Sequence, residues 1–415
     1  MNVLLVNSFY YNRGGDCTYF FSLKELLGKK GHKVVVFSMQ HPENFNSEYA
    51  HYFVSHIDYV EEAKKKTLGS RLKVLRRTVY SQEAKEKIEQ LMRDEMPDIA
   101  HLQSIHHHIT PSILYPLKKH RIPIIWTLHD FAIMCPNTTF YCRGKICERC
   151  KRIRYYWPSL MRCKKNSFMA STMAAIENVL HRIMKVYDLV DFFITPSQFL
   201  RNKLIEYGFE RDKILHINNF LNISSFNNKE HADNYYLFVG RLSEEKGLKT
   251  LIDAAFQAKT MRLKIIGTGP LEKELMHYAK SKDEPGIVEF MGHVSRTDAL
   301  QQLSKSSFVV VPSEWYENLP YSILETFACQ KPVIASRIGG IPALVADGVT
   351  GLLFEPSDAR DLAAKIRWMN AHPQERQKMG RMARELLEKE YSPHIHYMRL
   401  IEVYEMALKN YRSTF

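Results

Sequence analysis

The stretch that decides the fold is residues 309–336, which read VVVPSEWYENLPYSILETFACQKPVIAS. A run of valines indicates a buried strand that ends at Pro312, and a helical pattern begins near Pro320 after a polar and aromatic loop. The apolar run Val333–Ser336 then predicts another strand. A strand, a helix and a second strand in this order predict a parallel sheet with crossover helices.

Strand and helix patterns alternate in this way along the whole chain. Two such series predict an α/β protein of two Rossmann-like, doubly wound parallel-sheet domains. The predicted strands of the first half are Val3–Ser8, Lys33–Ser38, Ile99–Gln103, Ile122–His129 and Phe192–Ser197. Those of the second half are Tyr236–Arg241, Leu263–Gly267, Val288–Met291, Phe308–Pro312, Val333–Ser336 and Gly351–Phe354.

The join between the two predicted domains lies in a polar segment rich in Asn and Ser, Asn218–Asp233. It divides the chain into a domain of residues 1–218 and a domain of residues 219–394. Ligands of such sheets bind at the carboxyl ends of the strands, so functional residues are expected in the loops that follow strands.

Two acids stand eight positions apart in the opening stretch. Glu317 lies in the loop before the helix, and Glu325 lies one to two turns inside it. Backbone N–H groups at a helix N-terminus can hold phosphate, and a carboxylate in the helix can accept hydrogen bonds from sugar hydroxyls. A solvated Glu on an ordinary capped helix is the alternative interpretation.

A second motif is FVGRLSEEKG, residues 238–247. Its predicted strand ends at Gly240, and the cations Arg241 and Lys246 lie on the following loop. Two cations at the carboxyl end of a strand suit a diphosphate, whose charge grows as a sugar–phosphate bond breaks. Taken alone, this loop would be interpreted as a solvated basic turn.

Together these motifs resemble the signature of family 4 retaining glycosyltransferases, which have the GT-B fold of two Rossmann-like domains facing a cleft. The resemblance implies that Glu317 contacts the transferred sugar and that Glu325 binds the ribose of the nucleotide. It also implies that Arg241 and Lys246 hold the pyrophosphate. Most of the chain fits the family, and residues 395–415 resemble its last helix, which packs on the first domain.

The family's common pattern has glycine where this chain has Asn318 and Pro320. Because proline has no N–H group, the phosphate contacts are expected from Asn318, Leu319 or residues after Pro320. The Asn and Pro form also occurs in the family. IIGTGPL, residues 265–271, resembles the family's turn near the nucleotide and so assigns Gly269 to the donor site.

The first half carries two further motifs after predicted strands. Gly14 and Gly15 follow the first strand, and a glycine pair lets the backbone approach a ligand closely. In the family this pair faces the donor phosphate, whereas a plain strand–helix turn is the alternative. His129, followed by Asp130, ends a buried strand, and the resemblance assigns this histidine to the donor sugar and the reacting centre. A lone histidine at such a position is otherwise structural.

Two clusters suggest metal but leave other interpretations open. The triplet His106–His108 fits acceptor contacts or packing better than metal, because neighbouring side chains on an extended chain point in opposite directions. Five cysteines fall within 29 residues, and one CxxC pair has zinc-type spacing. A structural zinc loop and a set of packed thiols both remain open. These cysteines are Cys135, Cys142, Cys147, Cys150 and Cys163.

The basic excess belongs to the first half: residues 1–218 hold 33 Lys and Arg against 21 Asp and Glu. No nucleic-acid-binding signature accompanies it, so no nucleic acid partner is expected. Residues 143–165 carry nine Lys and Arg and one Glu around an aromatic triplet, and a second basic stretch is Lys64–Arg77. We therefore expect peripheral contact with an anionic membrane. A solvated surface or an anionic soluble acceptor would account for these charges equally simply.

No apolar run reaches the roughly 18 residues that a membrane-spanning helix needs, and the first residues resemble a strand rather than a signal peptide. These features predict a cytoplasmic protein, at the inner face of the plasma membrane if the membrane contact holds. Reduced thiols are expected there.

The resemblance implies transfer of a sugar from a nucleoside-diphosphate sugar, a UDP-sugar in the first instance, to a glycan or lipid-linked acceptor in cell-surface polysaccharide biosynthesis. No catalytic metal or other cofactor is expected, since cations and helix N-termini stabilise the leaving group. The alternatives are a sugar-nucleotide epimerase, a phosphorylase and a non-catalytic nucleotide-sugar-binding subunit.

Overall fold

The computed structural model describes residues 1–56, 77–223, 226, 233–282 and 284–413 of the 415-residue chain. These residues form two compact units, each built on a six-stranded sheet. The first unit comprises Met1–Thr139, Glu148–Asn219 and the chain from His396 onward, and the second comprises Phe140–Cys147 and Phe220–Ile395. The predicted basic stretch at residues 64–77 lies, except for Arg77, outside the described residues.

The sheet of the first unit is parallel throughout, with strand order β2-β1-β3-β4-β7-β8. The order changes direction between β1 and β3, so the loops after these strands flank the point where such sheets bind ligands. The strands β5 and β6 form a separate antiparallel hairpin that belongs to the second unit. The bounds are β1 Asn2–Val6, β2 Lys33–Phe37, β3 Ile99–Leu102, β4 Ile124–Thr127, β5 Tyr141–Cys142, β6 Lys145–Ile146, β7 Phe192–Thr195 and β8 Ile214–His216.

The sheet of the second unit is also parallel and has the order β11-β10-β9-β12-β13-β14. This is the Rossmann order, and its switch point lies between β9 and β12. The predicted fold class, two Rossmann-like parallel sheets, is therefore confirmed. The strands are β9 Tyr235–Val239, β10 Arg262–Ile266, β11 Val288–Gly292, β12 Val309–Val311, β13 Val333–Ser336 and β14 Gly351–Phe354.

Helices connect the strands, and several begin at a serine whose hydroxyl accepts an early backbone N–H, as Ser81, Ser197 and Ser295 do. The helices of the first unit are α1 Gly15–Lys29, α2 Gln82–Glu95, α3 Leu114–Lys119, α4 Trp157–Met161, α5 Phe168–Ile183 and α6 Gln198–Glu206. Those that follow are α7 Leu248–Ala258, α8 Glu272–Lys280, α9 Arg296–Lys305, α10 Tyr321–Ala328, α11 Ile341–Leu344, α12 Ala359–Ala371, α13 Pro373–Glu390 and α14 Pro393–Ser413.

The central strands are buried on both faces, as the continuous apolar runs predict. In β9, Tyr236 and Phe238 enter the apolar cluster on one side of the sheet and Leu237 enters the cluster on the other. The Tyr236 ring stacks on Phe308 with 5.1 Å between centroids. Alternation along the strand thus gives the second sheet two covered faces.

The helix α14 is bound to the first unit by buried polar contacts. Tyr404 places its hydroxyl 2.7 Å from Nδ1 of His101 in β3. Nδ1 of His396 lies 2.8 Å from the carbonyl oxygen of Asn218, and its Nε2 lies 3.1 Å from the hydroxyl of Tyr19. These contacts satisfy polar groups that would otherwise be costly to bury.

The sequence did not predict every element. The strand β8, three residues long, and the helix α5 were both missed. Within the described residues, no helix is both long enough and apolar enough to span a bilayer.

Candidate functional site

The loops after β9 and β12 lie against each other at the switch point of the second sheet. The N–H of Glu314 donates to the carbonyl of Glu245 at 2.9 Å, and the Thr250 hydroxyl donates to Oε1 of Glu314 at 2.6 Å. Gly247 has φ +66°, and a Cβ there would meet the carbonyl oxygen of Pro312 at 1.9 Å. Glycine is therefore required where the two loops touch.

Glu317 is the central side chain of this pair of loops. Its Oε1 accepts hydrogen bonds from Lys246 at 2.7 Å, from the Ser313 hydroxyl at 2.7 Å and from the Trp315 indole at 2.8 Å. The residue is only 6% exposed. Burial alone would raise the pKa of Glu317, but the Lys246 charge and the three hydrogen bonds outweigh it and lower the pKa. The carboxylate is thus held ionised beside a cation.

The backbone of Glu317 is also fixed from a third loop, the one after β13. The N–H of Gly340 donates to the carbonyl of Glu317 at 2.7 Å. Gly339 has φ +60°, and a Cβ there would lie 2.5 Å from the same carbonyl oxygen. The glycine pair at 339–340 therefore lets the third loop approach the Glu317 backbone.

Glu325 lies in α10 and is half-buried. Its Oε1 accepts a hydrogen bond from Nη2 of Arg296 at 2.9 Å, at the start of α9. Burial raises the pKa of Glu325, and Arg296 opposes this effect. Glu325 was predicted from the sequence as a site residue, but its cationic partner Arg296 was not. Arg241 is exposed and has no ion-pair partner among the described residues.

Gly269 has a structural reason to be glycine. A Cβ at this position would meet the backbone oxygen of Leu242 at 2.3 Å and its nitrogen at 2.6 Å. The N–H of Leu242 in turn donates to the carbonyl of Thr268 at 3.0 Å. The loops after β9 and β10 are thus packed backbone to backbone. Of the residues expected to contact phosphate, Asn318 is buried and Leu319 is half-buried.

In the first unit, Gly14 and Gly15 begin α1 and are exposed. Gly14 has φ −177°, an extended backbone that any residue adopts, and a Cβ there would meet only Oδ1 of Asp16 at an ordinary 3.4 Å. Within the described part of the chain, therefore, neither backbone conformation nor packing requires glycine at position 14.

His129 and Asp130 follow β4 at the carboxyl edge of the first sheet. Burial lowers the pKa of His129 to about 4, against the opposing charge of Asp16. The His129 ring lies 5.0 Å from the Tyr19 ring. Burial raises the pKa of Asp130 to about 6, although the N–H of Ala132 donates to its Oδ1 at 2.9 Å. At neutral pH the imidazole is therefore neutral and the carboxyl is ionised.

The triplet at residues 106–108 does not converge on one point. His107 meets a carboxylate, because its Nδ1 lies 3.0 Å from Oε2 of Glu177. Its Nε2 lies 3.1 Å from Nζ of Lys164. Glu177 is buried, and His107 lowers the pKa of Glu177 to about 2 against the effect of burial. Glu177 was missed, although it is the one acid in the sequence of α5.

The structure does not support a zinc site in the cysteine-rich segment. Among the described residues, no three or more His, Cys, Asp or Glu side chains are grouped so that they could hold a metal ion. Cys150 instead packs with Tyr155 and Ala175 in a small apolar cluster. The described residues therefore give no set of ligands for a zinc loop, and the packing of Cys150 fits the alternative of packed thiols.

Two Rossmann-like units, with an acid and a lysine paired at the switch point of the second, define the GT-B class of glycosyltransferase folds. The model of Glycosyltransferase Family 4 matches residues 13–225, and that of Glycosyl transferases group 1 matches residues 220–386. The chain therefore belongs to glycosyltransferase family 4.

Similar proteins agree with this assignment. An uncharacterized glycosyltransferase of Methanocaldococcus jannaschii is 33% identical over 199 residues, which are 48% of this chain and 55% of that protein. A capsular polysaccharide biosynthesis glycosyltransferase of Staphylococcus aureus is 27% identical over 69% of this chain and 74% of its own. The structure of Anabaena HepE in complex with UDP and glucose has a TM-score of 0.66 at 16% identity, covering 98% of this chain and all of that one. The match to the archaeal relative spans about half of that relative's length.

Proposed function

We propose that this protein transfers a sugar from a nucleoside-diphosphate sugar, with UDP-sugar as the donor, to a glycan or lipid-linked acceptor with retention of anomeric configuration. The observation that carries the proposal is the ion pair between half-buried Lys246 and buried Glu317 at the switch point of the second sheet. The UDP bound by the similar Anabaena protein supports the donor, and the capsular relative supports a role in cell-surface polysaccharide biosynthesis.

The donor is proposed to bind the second unit. Arg241 is exposed on the same loop as Lys246 and would meet the diphosphate, together with Lys246 and the backbone at Asn318 and Leu319. Glu325 would accept hydrogen bonds from the ribose hydroxyls in place of the Arg296 contact. Gly269 would serve the donor site indirectly, because the absence of a Cβ lets the loop after β10 pack closely against the loop that carries Arg241.

In the proposed reaction the bond between the anomeric carbon and the donor phosphate oxygen breaks. The acceptor oxygen forms the new bond on the same face, and its proton passes to the departing phosphate. The leaving group is a nucleoside diphosphate whose growing negative charge Arg241 and Lys246 would stabilise, so that no metal or other cofactor is required for catalysis. Glu317 is proposed to contact the sugar through the carboxylate oxygen that does not bind Lys246.

The first unit is proposed to bind the acceptor and to supply His129. Because the pKa of His129 is about 4, a neutral imidazole would act on the transferred sugar by hydrogen bonding rather than by charge. Gly14 and Gly15 would bring backbone N–H groups close to the donor phosphate, which fits a position where packing does not demand glycine. The proposed location is the cytoplasm, at the inner face of the plasma membrane.

The test is a screen of nucleotide sugars that measures nucleoside diphosphate release with and without candidate acceptors. Lys246→Ala should lose release by a large factor. Lys249→Ala, which removes a nearby lysine from an exposed ion pair with Glu274, is the matched control and should keep it. Release of sugar phosphate with inorganic phosphate would indicate a phosphorylase, an altered sugar nucleotide an epimerase, and binding without turnover of any donor a non-catalytic subunit.

His129→Ala should lower turnover far more than it lowers the affinity for UDP. Equal turnover in this variant and in the wild type would assign His129 to the structural core of the first unit instead.

A further inference from the structure

Exposed apolar side chains are concentrated in one part of the first unit. Among the described residues, 15 large apolar side chains are exposed, and eight of them lie between residues 153 and 184. Exposed apolar residues scattered singly need no explanation, whereas a concentration of them marks an interaction surface. This segment covers the loop before α4, the helix α4 and all of α5.

The exposed residues of α5 share one face of the helix. Met169, Ile176 and Ile183 are seven positions apart, a spacing that returns to nearly the same side, and they are 46%, 37% and 70% exposed. An α-helix with such a stripe would normally bury it against a neighbouring element. Here the stripe remains in contact with solvent.

An apolar groove of about 310 Å³ runs between α5 and the segment that contains α4. Its lining includes Ile153 and Tyr156 from one side and Ile176, Val179 and Leu180 from the other. The two helices are joined by a hydrogen bond from the Thr172 hydroxyl to that of Ser159, at 2.9 Å. The groove and the stripe therefore belong to one continuous apolar surface.

The backbone is strained just before α4, where the exposed apolar surface begins. Arg152 and Ile153 have φ values of +58° and +61°, and a β-branched residue in this left-handed region is a genuine outlier. Ile153 is 61% exposed as a result. Strain of this kind is found where a conformation serves a function.

Cations adjoin the apolar surface. A basic pocket of about 560 Å³ is lined by Arg149, Lys151, Arg152 and Arg154, with Trp157 and one acid, Glu148. The guanidinium of Arg149 lies over the Trp157 ring, 5.0 Å from its centroid. Apolar side chains bordered by a basic, aromatic rim match the interface of an anionic bilayer, where cations meet headgroups and aromatic rings lie at their level.

We propose that this surface, the α4–α5 face, docks the first unit onto an anionic lipid bilayer. The face is defined by the exposed side chains of Ile153, Tyr156, Leu160, Met169, Ile176 and Ile183 and the adjoining cations. A second copy of the chain fits less well, because a two-fold contact would bring the four cations and one acid of the basic pocket against the same set. Docking involves neither donor nor turnover, so it stands or falls separately from the proposed sugar transfer, although it supports the proposed location at the membrane.

The experiment is co-sedimentation of the full chain with vesicles of phosphatidylcholine, with or without phosphatidylglycerol. The wild type should bind only the anionic vesicles, and less at high salt, because exposed charges are screened within about 10 Å at 0.1 M. Two variants should each weaken this binding about tenfold or more, since each cation near the surface contributes roughly a factor of five. They are the double variant Arg152→Glu/Arg154→Glu and the triple variant Ile153→Ser/Ile176→Ser/Ile183→Ser.

Two matched variants remove charge or apolar surface elsewhere: Lys119→Glu/Lys273→Glu and Met96→Ser/Met276→Ser/Met406→Ser, all at exposed positions. Both should bind like the wild type. Unchanged melting temperatures and nucleoside diphosphate release would show that all four variants fold and act normally. Binding that is absent from anionic vesicles, equal on neutral ones, or unaffected by the variants overturns the proposal. So does a wild-type dimer that the triple variant dissociates in the absence of lipid.

Discussion

The Lys246 ammonium lies 2.7 Å from Oε1 of Glu317, and this ion pair joins the loops that follow β9 and β12. The lysine side chain is 24% exposed and the glutamate side chain 8% exposed, so the cation is the more accessible of the two. Lys246 can therefore meet an incoming phosphate without leaving Glu317 unpaired.

Glu317→Gln should lower nucleoside diphosphate release by at least about tenfold. The neutral amide can still accept a hydrogen bond from Lys246, but it no longer forms an ion pair with it. The substitution should also destabilise the second unit by about 1–3 kcal/mol, the cost of weakening hydrogen bonds to a buried charged group. Glu314→Gln changes a carboxylate of the same loop, one that accepts from Thr250 at 2.6 Å, and should retain turnover. Release rates and urea unfolding measure both effects, and equal rates in the two variants would contradict the role of Glu317.

Glu325→Ala should weaken UDP binding by about ten- to a hundredfold, the equivalent of one lost charge-assisted hydrogen bond of about 1.5–3 kcal/mol. Arg296→Ala removes the 2.9 Å partner of the same carboxylate and should leave UDP affinity equal or higher. Isothermal titration with UDP compares the two variants directly. An affinity loss in Arg296→Ala alone would assign the nucleotide contact to the arginine instead.

Gly247→Ala should destabilise the protein by more than about 2 kcal/mol, since a Cβ 1.9 Å from the Pro312 carbonyl forces the two loops apart. Gly348→Ala separates this clash from backbone strain. Gly348 also has a positive φ, +76°, but a Cβ there meets nothing within 4 Å. This control should lose only about 1–2 kcal/mol. Chemical denaturation measures both, and equal losses would mean that loop contact is unimportant.

Acid should destabilise the first unit between pH 6.5 and 4. Burial lowers the pKa of His101 to about 3 and that of His396 to about 4, so the unfolded chain binds protons at a higher pH than the folded one. Stability is therefore complete above the unfolded value and falls as pH decreases, by about 1.4 kcal/mol per pH unit for each histidine. Asp130, whose pKa is raised to about 6, acts in the opposite direction.

Urea unfolding between pH 7 and 4.5 tests this dependence. His396→Gln should flatten the dependence, since an amide can donate to the Asn218 carbonyl without titrating. His120→Gln, at an exposed position, should leave it unchanged. An unaltered slope in His396→Gln would show that other groups control acid unfolding.

The fold could be predicted because its strands are apolar on both faces and its helices intervene at regular intervals. The predicted runs at 3–8 and 308–312 correspond to β1 and β12 for this reason. The strand β8 was not predicted because it has only three residues, of which one is fully buried. The helix α5 escaped because its small and polar residues give a weak pattern, and its apolar stripe faces solvent.

The partners of the site residues could not be predicted, because they come from distant loops. The approach of Lys246 to Glu317 follows from strand order, which places β9 beside β12 although 71 positions separate the two residues. No local spacing reveals Arg296 beside Glu325 or Glu177 beside His107. The sequence also left a zinc loop and packed thiols both open, because short spacing between cysteines along the chain does not by itself bring their side chains to one point.

The two units are interleaved in the chain, and this has a consequence for synthesis on the ribosome. Residues 140–147 belong to the second unit although first-unit residues flank them, and residues from 396 onward return to the first unit after all of the second has been made. The partners of His101 and Tyr19 on α14 are thus translated about 300 and 377 residues later, respectively. The nascent first sheet lacks these partners until those residues emerge, so the second unit, translated later, can complete its core first.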